Sequence, residues 1–337
     1  MLQLQSMSHR TLHSLEICAG AGGQALGLEK AGFAHSGLVE LDRDACKTLL
    51  LNRPSWNVIQ EDLKAFSAKS YHGLDLLAGG VPCPPFSVAG KQLGENDDRD
   101  LFPTALRLVE ECVPTAVMLE NVPGLASPRF GAYRRNVIKR LNALGYEVDW
   151  QVLNACNYGV PQLRPRFILV GLRGEAAERF TWPEAVGSPP TVGEVLFDLI
   201  SRNRWPGAFA WAIKAKGIAP TLVGGSKLHG GPDLGPTRAR KAWAELFVDG
   251  RGVADDSPSP DFPFDAMPRL TARMAARVQG FPDSWQFYGK KTAAYRQIGN
   301  AFPPPVAQAV GLNILKAIVG IPMPSTKNIL PFVRQTA

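Results

Sequence analysis

The first 175 residues predict a doubly wound α/β sheet, on two observations. Short apolar segments of strand length alternate with longer amphipathic segments of helical length, and two of the four helical segments end at a glycine. This alternation is typical of a sheet covered by helices on both faces, whose ligands bind at the carboxyl ends of the strands.

The predicted elements follow one another in order. Strands are predicted at "SLEICAG", "SGLVELD", "LDLLAGG", "AVMLENV" and "RFILVGL", with another short strand before "EDL". Helices are predicted at "QALGLEKAG", "RDACKTLLLN", "LFPTALRLVEEC" and "YRRNVIKRLNALGY". The first and last of these helices end at Gly32 and Gly145, since glycine readily adopts the left-handed conformation that ends a helix.

The alternation stops near residue 185, which indicates a second region. Thr191 and Glu194 form a capping box that predicts the start of a short helix. Residues 201–268 are rich in Gly, Pro, Lys and Arg and show little periodicity, but they retain three tryptophans for a core. We expect a small irregular domain there, followed by helices at "LTARMAARVQGF" and "PPVAQAVGLNILKAIVG".

Composition narrows the class of protein. The 337 residues are 45% hydrophobic and 20% charged, which is typical of a globular enzyme. The sequence has no apolar run of the ~18 residues that a membrane span needs and no signal-peptide pattern at its start. The five cysteines are scattered and odd in number, which predicts reduced thiols, a cytoplasmic location and no metal site.

The positive charge is concentrated in one part of the chain. The net charge is +7, yet residues 1–150 hold 15 Lys and Arg against 17 Asp and Glu. Residues 201–251 hold 9 Lys and Arg against 3 Asp and Glu. A basic region of this kind indicates a polyanionic partner on one face, with a solvated surface as the alternative.

A glycine loop indicates a nucleotide-like cofactor. Between a predicted strand and helix, "EICAGAGGQALG" carries Gly20, Gly22 and Gly23. Glu40 ends the next strand, where a carboxylate can bind ribose hydroxyls, and Asp62 follows the third strand, where it can bind an adenine amino group. With Ala25 the loop also matches the dinucleotide pattern G-x-G-x-x-A, so nicotinamide cofactors and S-adenosylmethionine both stay open.

A second group of side chains follows other predicted strands. Cys83 lies between prolines just beyond "LDLLAGG", and Glu120 ends "AVMLE". Gln162, Arg164 and Arg166 recur at period two, so an extended chain directs all three to one side. Taken singly, each has an ordinary structural explanation. Together, beside a cofactor loop, they predict a planar heterocycle that is attacked by sulfur.

These motifs resemble those of the bacterial DNA (cytosine-5)-methyltransferases. Eight segments follow the order of that family: the glycine loop at 16–27, Glu40, Asp62, "PCPPFS" at 82–87, "ENV" at 120–122, "QLRPR" at 162–166, "RLTARMAARVQGFPD" at 269–283 and "QIGNAFPP" at 297–304. The resemblance implies a Rossmann-like S-adenosylmethionine-dependent methyltransferase fold with a smaller, irregular target-recognition domain. It also implies sequence-specific methylation of carbon 5 of a cytosine flipped out of double-stranded DNA.

The resemblance assigns roles to the predicted site residues. Cys83 is expected to be the nucleophile, Glu120 to bind ring nitrogen 3 and the amino group, and Arg166 with Arg164 to hold the carbonyl oxygen. The residues expected to bind S-adenosylmethionine, and its product S-adenosylhomocysteine, are Glu16, Cys18, Gly20, Gly22, Gly23, Glu40, Leu41, Asp62, Leu63, Pro82, Asn300 and Ala301. The residues expected to contact DNA are Ser87, Gln162, Thr221, Leu222, Lys227, Arg238, Arg240 and Lys241.

The resemblance also implies a domain plan and partners. The catalytic domain is expected at 11–185 plus 293–325 and the target-recognition domain at 186–292. Residues 1–10 and 326–337 are expected to be flexible termini. We expect a monomer that belongs to a restriction-modification system and whose endonuclease, where one exists, acts separately.

The sequence departs from the family pattern at the glycine loop. Glu16 and Cys18 stand where the family usually has an aspartate and an aromatic residue, and Phe302 replaces a smaller aliphatic one. Three alternatives are weaker. A nicotinamide-dependent oxidoreductase leaves "PCPPFS" and "QLRPR" unexplained, an RNA methyltransferase does not need the basic region, and a DNA-binding protein without activity does not need Cys83, Glu120 and Arg166.

Overall fold

A computed structural model describes residues 10–82, 100–224 and 233–321. Its strands are β1 (Leu12–Ile17), β2 (Phe33–Glu40), β3 (Val58–Gln60), β4 (Leu76–Gly80), β5 (Ala116–Asn121), β6 (Glu147–Asn154), β7 (Gln162–Leu163), β8 (Pro165–Leu172) and β9 (Ala219–Pro220). Its helices are α1 (Gly23–Ala31), α2 (Arg43–Asn52), α3 (Phe102–Cys112), α4 (Gly131–Ala143), α5 (Glu175–Arg179), α6 (Val192–Ile200), α7 (Ala208–Lys214), α8 (Thr237–Ala244), α9 (Ala272–Val278), α10 (Lys291–Asn300) and α11 (Pro304–Val319).

The predicted α/β sheet is confirmed. Within the described ranges, seven strands form one sheet in the order β3-β2-β1-β4-β5-β8-β6. The first five of these run parallel, whereas β8 lies antiparallel between β5 and β6. As a result the carboxyl ends of β4 and β5 lie at the same edge of the sheet as the start of β8.

Each face of the sheet has its own core, because successive strand residues point to opposite faces. In β5, Val117 and Leu119 pack into the core that α3 and α4 cover. Met118 packs into the core on the other face, together with residues of α1 and α11 such as Leu28 and Val310. The central strands β4, β5 and β8 are buried on both faces, which explains why they consist of nearly continuous apolar runs.

Helices α1 and α11 pack with their backbones in close contact. A Cβ at Gly27 would lie 2.5 Å from the Cβ of Ala307 and 2.5 Å from the carbonyl oxygen of Pro304. A Cβ at Gly311 would lie 2.7 Å from Leu28 Cδ2. Glycine is therefore required on both helices for α11 to approach this closely.

A third core lies mainly within residues 192–301. The three tryptophans that were expected to pack there are buried in it: Trp205, Trp211 and Trp243. The capping box at Thr191 and Glu194 is confirmed at the start of α6. The domain boundaries of the sequence analysis stay a prediction, and the termini at 1–9 and 322–337 lie outside the described residues.

No helix in the described ranges combines the length and the apolar character that crossing a membrane requires.

Candidate functional site

The glycine loop follows β1 at the carboxyl edge of the sheet. Cys18, Gly20 and Gly22 all have positive φ, at 52°, 54° and 83°. A Cβ at Gly22 would lie 2.6 Å from Leu49 Cδ2, and one at Gly23 would lie 2.2 Å from the carbonyl oxygen of Phe302. A Cβ at Gly20 would meet no heavy atom of the described residues within 4 Å. The loop therefore packs against protein at Gly22 and Gly23, whereas the space beside Gly20 is open.

Glu40 holds the glycine loop from the end of β2. Its Oε2 accepts a hydrogen bond from the backbone N of Gly20 at 2.7 Å, and its Oε1 accepts one from the N of Asp42 at 2.7 Å. Burial raises the pKa of Glu40, partly offset by these backbone donors. Leu41, the next residue, has 64% of its surface exposed. Gly20 and Glu40, which were both expected to bind the cofactor, are thus in direct contact with each other.

Three carboxyl groups surround the Cys18 thiol. Burial raises the pKa of Cys18, and the negative charges of Glu40, Asp62 and Glu16 raise it further. Burial also raises the pKa of Glu16 well above its usual range, with the backbone N–H of Ala25 opposing. Burial and these neighbouring carboxyl groups therefore both favour the neutral form of the Cys18 thiol.

Of the expected cofactor residues at 300–301, Ala301 reaches the glycine loop. The Cβ of Ala301 lies 3.2 Å from the position of a Cβ on Gly23. The Asn300 side chain is exposed at the end of α10. Leu63 is buried in the core below Asp62, and Pro82 is exposed where the described chain beyond β4 ends.

An ion pair joins the predicted catalytic residues Glu120 and Arg166. Arg166 Nε lies 2.9 Å from Glu120 Oε1, and the two side chains are only 12% and 13% exposed. Burial raises the pKa of Glu120, while the charges of Arg166 and Arg164 oppose that rise. In the register of β4 and β5, Gly80 pairs with Glu120. A Cβ at Gly80 would lie 3.2 Å from Glu120 Oε2, so glycine leaves the carboxylate accessible from the β4 side.

Asn121 is a site residue that the sequence analysis did not single out. Its Nδ2 donates to the carbonyl oxygen of Val81 at 2.8 Å, and its Oδ1 accepts from the N of Val122 at 2.7 Å. Asn121 therefore ties the chain after β4 to the end of β5. The middle position of "ENV", between a functional carboxylate and a turn, was the available signal.

Arg164 has different partners from those expected. Its Nη1 donates to the carbonyl oxygen of Leu222 at 2.8 Å, and its Nη2 donates to those of Gly299 and Ala301 at 2.8 and 3.0 Å. The side chain is 1% exposed. A contact with cytosine or phosphate would require these bonds to break, so the guanidinium serves the protein interior. Period two alone suggested that it would join Arg166.

Gln162 and its neighbours likewise contact protein where DNA contacts were expected. Gln162 is fully buried, and its Oε1 accepts from the N of Leu222 at 2.9 Å. Leu222 is itself 1% exposed. The hydroxyl of Thr221 donates to the carbonyl oxygen of Leu163 at 2.6 Å. These contacts arise because β7 pairs with β9, which places residues 219–222 directly over Gln162.

The basic side chains of α8 fall into two groups. Arg238 and Lys241 are exposed and lie three residues apart, so they share a face of the helix. Arg240 is half-buried against Gly250, and its Nη2 donates to Thr237 Oγ1 at 3.2 Å. Arg238 and Lys241 are the better placed to meet a phosphate backbone.

Three expected site residues, Cys83, Ser87 and Lys227, lie outside the described residues. Their roles stay predictions. The described chain places the ends of β1, β2, β4 and β5 and the start of β8 around one open edge. That edge combines a glycine loop held by the Glu40 carboxyl group with a buried carboxylate–guanidinium pair.

Comparisons with known proteins agree with this arrangement. A family profile described as C-5 cytosine-specific DNA methylase matches residues 12–219 and 235–316. The chain is 57% identical over 313 residues to the Type II methyltransferase M.NaeI of Lentzea aerocolonigenes, covering 92% of this chain and 76% of that protein. It is 55% identical over 314 residues to M.NgoMIV of Neisseria gonorrhoeae, covering 90% and 97%. The solved Entamoeba histolytica methyltransferase EhMeth shares the fold, with a TM-score of 0.65, 13% identity and coverage of 92% and 99%.

Proposed function

Because this chain belongs to the family of C-5 cytosine-specific DNA methylases, we propose that Cys83, Glu120 and Arg166 methylate a cytosine that has flipped out of duplex DNA. The fold and the enzyme class are those expected from the motifs, which removes the oxidoreductase alternative. The observation that carries the assignment of roles is the buried Glu120–Arg166 pair at the open sheet edge.

The pair suits one edge of a cytosine ring. The Glu120 carboxyl binds ring nitrogen 3 and the exocyclic amino group, while the Arg166 guanidinium donates to the carbonyl oxygen. Burial raises the pKa of Glu120, although Arg166 opposes the rise, so the carboxyl can take up a proton when the base enters and pass it to nitrogen 3. A stacked base does not reach a buried pair, so the cytosine leaves the helix at a cost of a few kcal/mol.

Cys83 supplies the nucleophile. It directly follows Pro82 and lies three residues after Gly80, which pairs with Glu120. The thiolate forms a bond to carbon 6 while nitrogen 3 takes the proton of Glu120, and carbon 5 becomes nucleophilic. After carbon 5 has gained the methyl group, a base removes its proton, the carbon 6–sulfur bond breaks and the thiolate leaves with its electron pair. Nitrogen 3 returns its proton to Glu120.

We assign the glycine loop and the neighbouring strand ends to S-adenosylmethionine, the cofactor of this family. When bound, this cofactor supplies the methyl group from its sulfonium. The open space at Gly20 admits a ligand close to the backbone. We assign Glu40 to the ribose hydroxyls, Asp62 and the exposed Leu41 to the adenine, and Asn300 with Ala301 to the wall opposite.

We assign the basic region to the binding of duplex DNA, the substrate. Arg238 and Lys241 on α8 meet phosphates, and the chain around 221–241 reads the base pairs next to the target. A partner endonuclease, a monomeric state and a cytoplasmic location belong to this proposal as well. The names of the Type II relatives support a role in a restriction-modification system.

Trapping by 5-fluorocytosine tests the proposed roles. In duplex DNA that carries this base at the target, fluorine cannot leave as the proton does, so the protein stays bonded to the DNA. We expect Cys83→Ser to abolish both the trapped complex and methylation while S-adenosylhomocysteine still binds. Cys156→Ser, a matched change at a buried cysteine outside the pocket, should trap like the parent. A Cys83→Ser protein that methylates at near the parent rate contradicts the assignment.

A further inference from the structure

A fully buried polar cluster joins three distant parts of the chain. It consists of Gln162, Arg164 and Gln279, each at most 1% exposed. Gln162 Nε2 donates to Gln279 Oε1 at 2.7 Å, and Gln279 Nε2 donates to the carbonyl oxygen of Ala301 at 2.5 Å. We call these three side chains the clamp. Buried polar side chains of this kind are held firmly, because breaking one bond leaves an unsatisfied partner in the interior.

One side of the clamp holds Leu222, which lies within the basic region. Gln162 accepts from the backbone N of Leu222, and Arg164 donates to the carbonyl oxygen of the same residue. Both backbone polar groups of Leu222 are therefore bound by the clamp, while its side chain is buried in the third core. The chain that continues from Leu222 toward α8 therefore starts from a fixed position.

The other side of the clamp holds the segment assigned to the cofactor. Arg164 donates to the carbonyl oxygens of Gly299 and Ala301, and Gln279 donates to that of Ala301. The two held segments also touch directly. A Cβ at Gly299 would lie 2.5 Å from Gly224 Cα, and one at Gly224 would lie 2.4 Å from Asn300 Oδ1. Glycine is thus required on both sides of this contact.

We propose that the clamp positions the chain around 221–241, the recognition segment, against the catalytic pocket and so determines which cytosine is methylated. This inference rests on the proposed function. Base pairs follow one another about every 3.4 Å along the duplex, and a hydrogen bond to a base edge is lost when the donor moves by roughly 1 Å. The reading side chains therefore need an anchor that is rigid to less than that. Gln162, Arg164 and Gln279 are positioning residues, since their buried polar atoms bond to protein groups.

Gly224→Ala tests this directly. Its Cβ would also lie 2.6 Å from the carbonyl oxygen of Arg296, so the backbone of the recognition segment has to shift. Gly252→Ala is the matched control, because a Cβ there meets only the flexible Arg269 side chain, at 3.4 Å. Arg164→Lys is the second variant: a single ammonium keeps the charge but cannot hold both segments as the planar guanidinium does.

The readout is sequence preference. Each protein methylates a random-sequence duplex library with S-adenosylmethionine, and the methylated cytosines are sequenced. We expect Gly224→Ala and Arg164→Lys to lose about tenfold in discrimination at one or more base pairs of the parent's site, and Gly252→Ala to lose none. A purely structural role lowers the melting temperature and the overall rate but leaves the preference intact.

The experiment distinguishes failure of this inference from failure of the proposed function. A folded Gly224→Ala protein with the parent's preference overturns the inference, and should that variant not fold, the same result for Arg164→Lys overturns it. If the parent itself methylates no cytosine at carbon 5, the proposed function fails instead.

Discussion

Glu120→Gln separates the chemical role of Glu120 from its structural one. Glutamine retains an oxygen that can accept from Arg166 Nε, now 2.9 Å from Glu120 Oε1, but it has neither the charge nor a proton to give to nitrogen 3. Removing one partner of a buried pair outright costs about 3–5 kcal/mol. Because the amide keeps one hydrogen bond and relieves the burial of a charge, we expect the free energy of unfolding to fall by less than that.

The effect on the methylation rate should be larger. General acid catalysis typically contributes about 10²–10⁴-fold, which equals roughly 3–5 kcal/mol of activation free energy at 1.36 kcal/mol per factor of ten. We expect the single-turnover rate to fall by that factor, measured with labelled S-adenosylmethionine and saturating duplex DNA. DNA affinity in the presence of S-adenosylhomocysteine should change far less, because the phosphate contacts lie elsewhere.

Glu111→Gln is the matched control for this substitution. Glu111 is also 13% exposed and also paired to an arginine, Arg107, but it lies on α3 near its carboxyl-terminal end, away from the open edge. Its loss should affect stability and leave the rate within a factor of a few. Equal single-turnover rates for the parent and Glu120→Gln, with equal DNA affinity, would refute the role of Glu120.

The remaining predictions concern stability and DNA binding. Burial raises the pKa of Glu16 in the folded protein, so stability falls as the pH rises above the ordinary glutamate value of about 4.3, where the unfolded chain ionises first. Glu16→Gln should therefore raise the melting temperature relative to the parent more at pH 8 than at pH 5. An equal difference in melting temperature at both pH values contradicts a raised pKa for Glu16 in the folded protein. Gly23→Ala places a Cβ 2.2 Å from the Phe302 carbonyl oxygen and should cost about 1–3 kcal/mol in denaturant unfolding, whereas Gly252→Ala should stay within about 0.5 kcal/mol. Lys241→Ala should reduce the salt dependence of DNA binding by roughly one unit of slope; Arg251→Ala, an exposed arginine paired to Asp249, should leave the slope unchanged, and equal slopes for both would remove α8 from the DNA interface.

Local signals predicted the single elements well. Helix α2 begins and ends at Arg43 and Asn52 as predicted, since Asp42 caps its first turn and a proline follows soon after its end. The strand β6 was not predicted, because "EVDWQVLN" mixes polar and apolar residues in a strand at the edge of the sheet. The helices α7, α8 and α10 were also missed, as they are short or weakly apolar.

The positions of site residues were predictable where they depend only on which strands are neighbours in the sheet. Glu120 at the end of β5 and Arg166 at the start of β8 meet because the two strands are neighbours. The environment of Gln162 and Arg164 was not predictable in the same way. Their spacing places them on one side of an extended chain, but which segment covers that side depends on residues more than 50 positions away.

The position of helix α11 late in the chain affects how the protein folds during its synthesis. Its residues Val306, Val310 and Ile314 complete the core on the Met118 face of the sheet, yet the ribosome makes them after the glycine loop, Glu120 and the basic region. Until α11 emerges, that apolar face is open to water and to other chains. A nascent chain therefore carries the parts of the pocket before it has the wall that supports them. We therefore expect methylation only from protein that has been translated through α11.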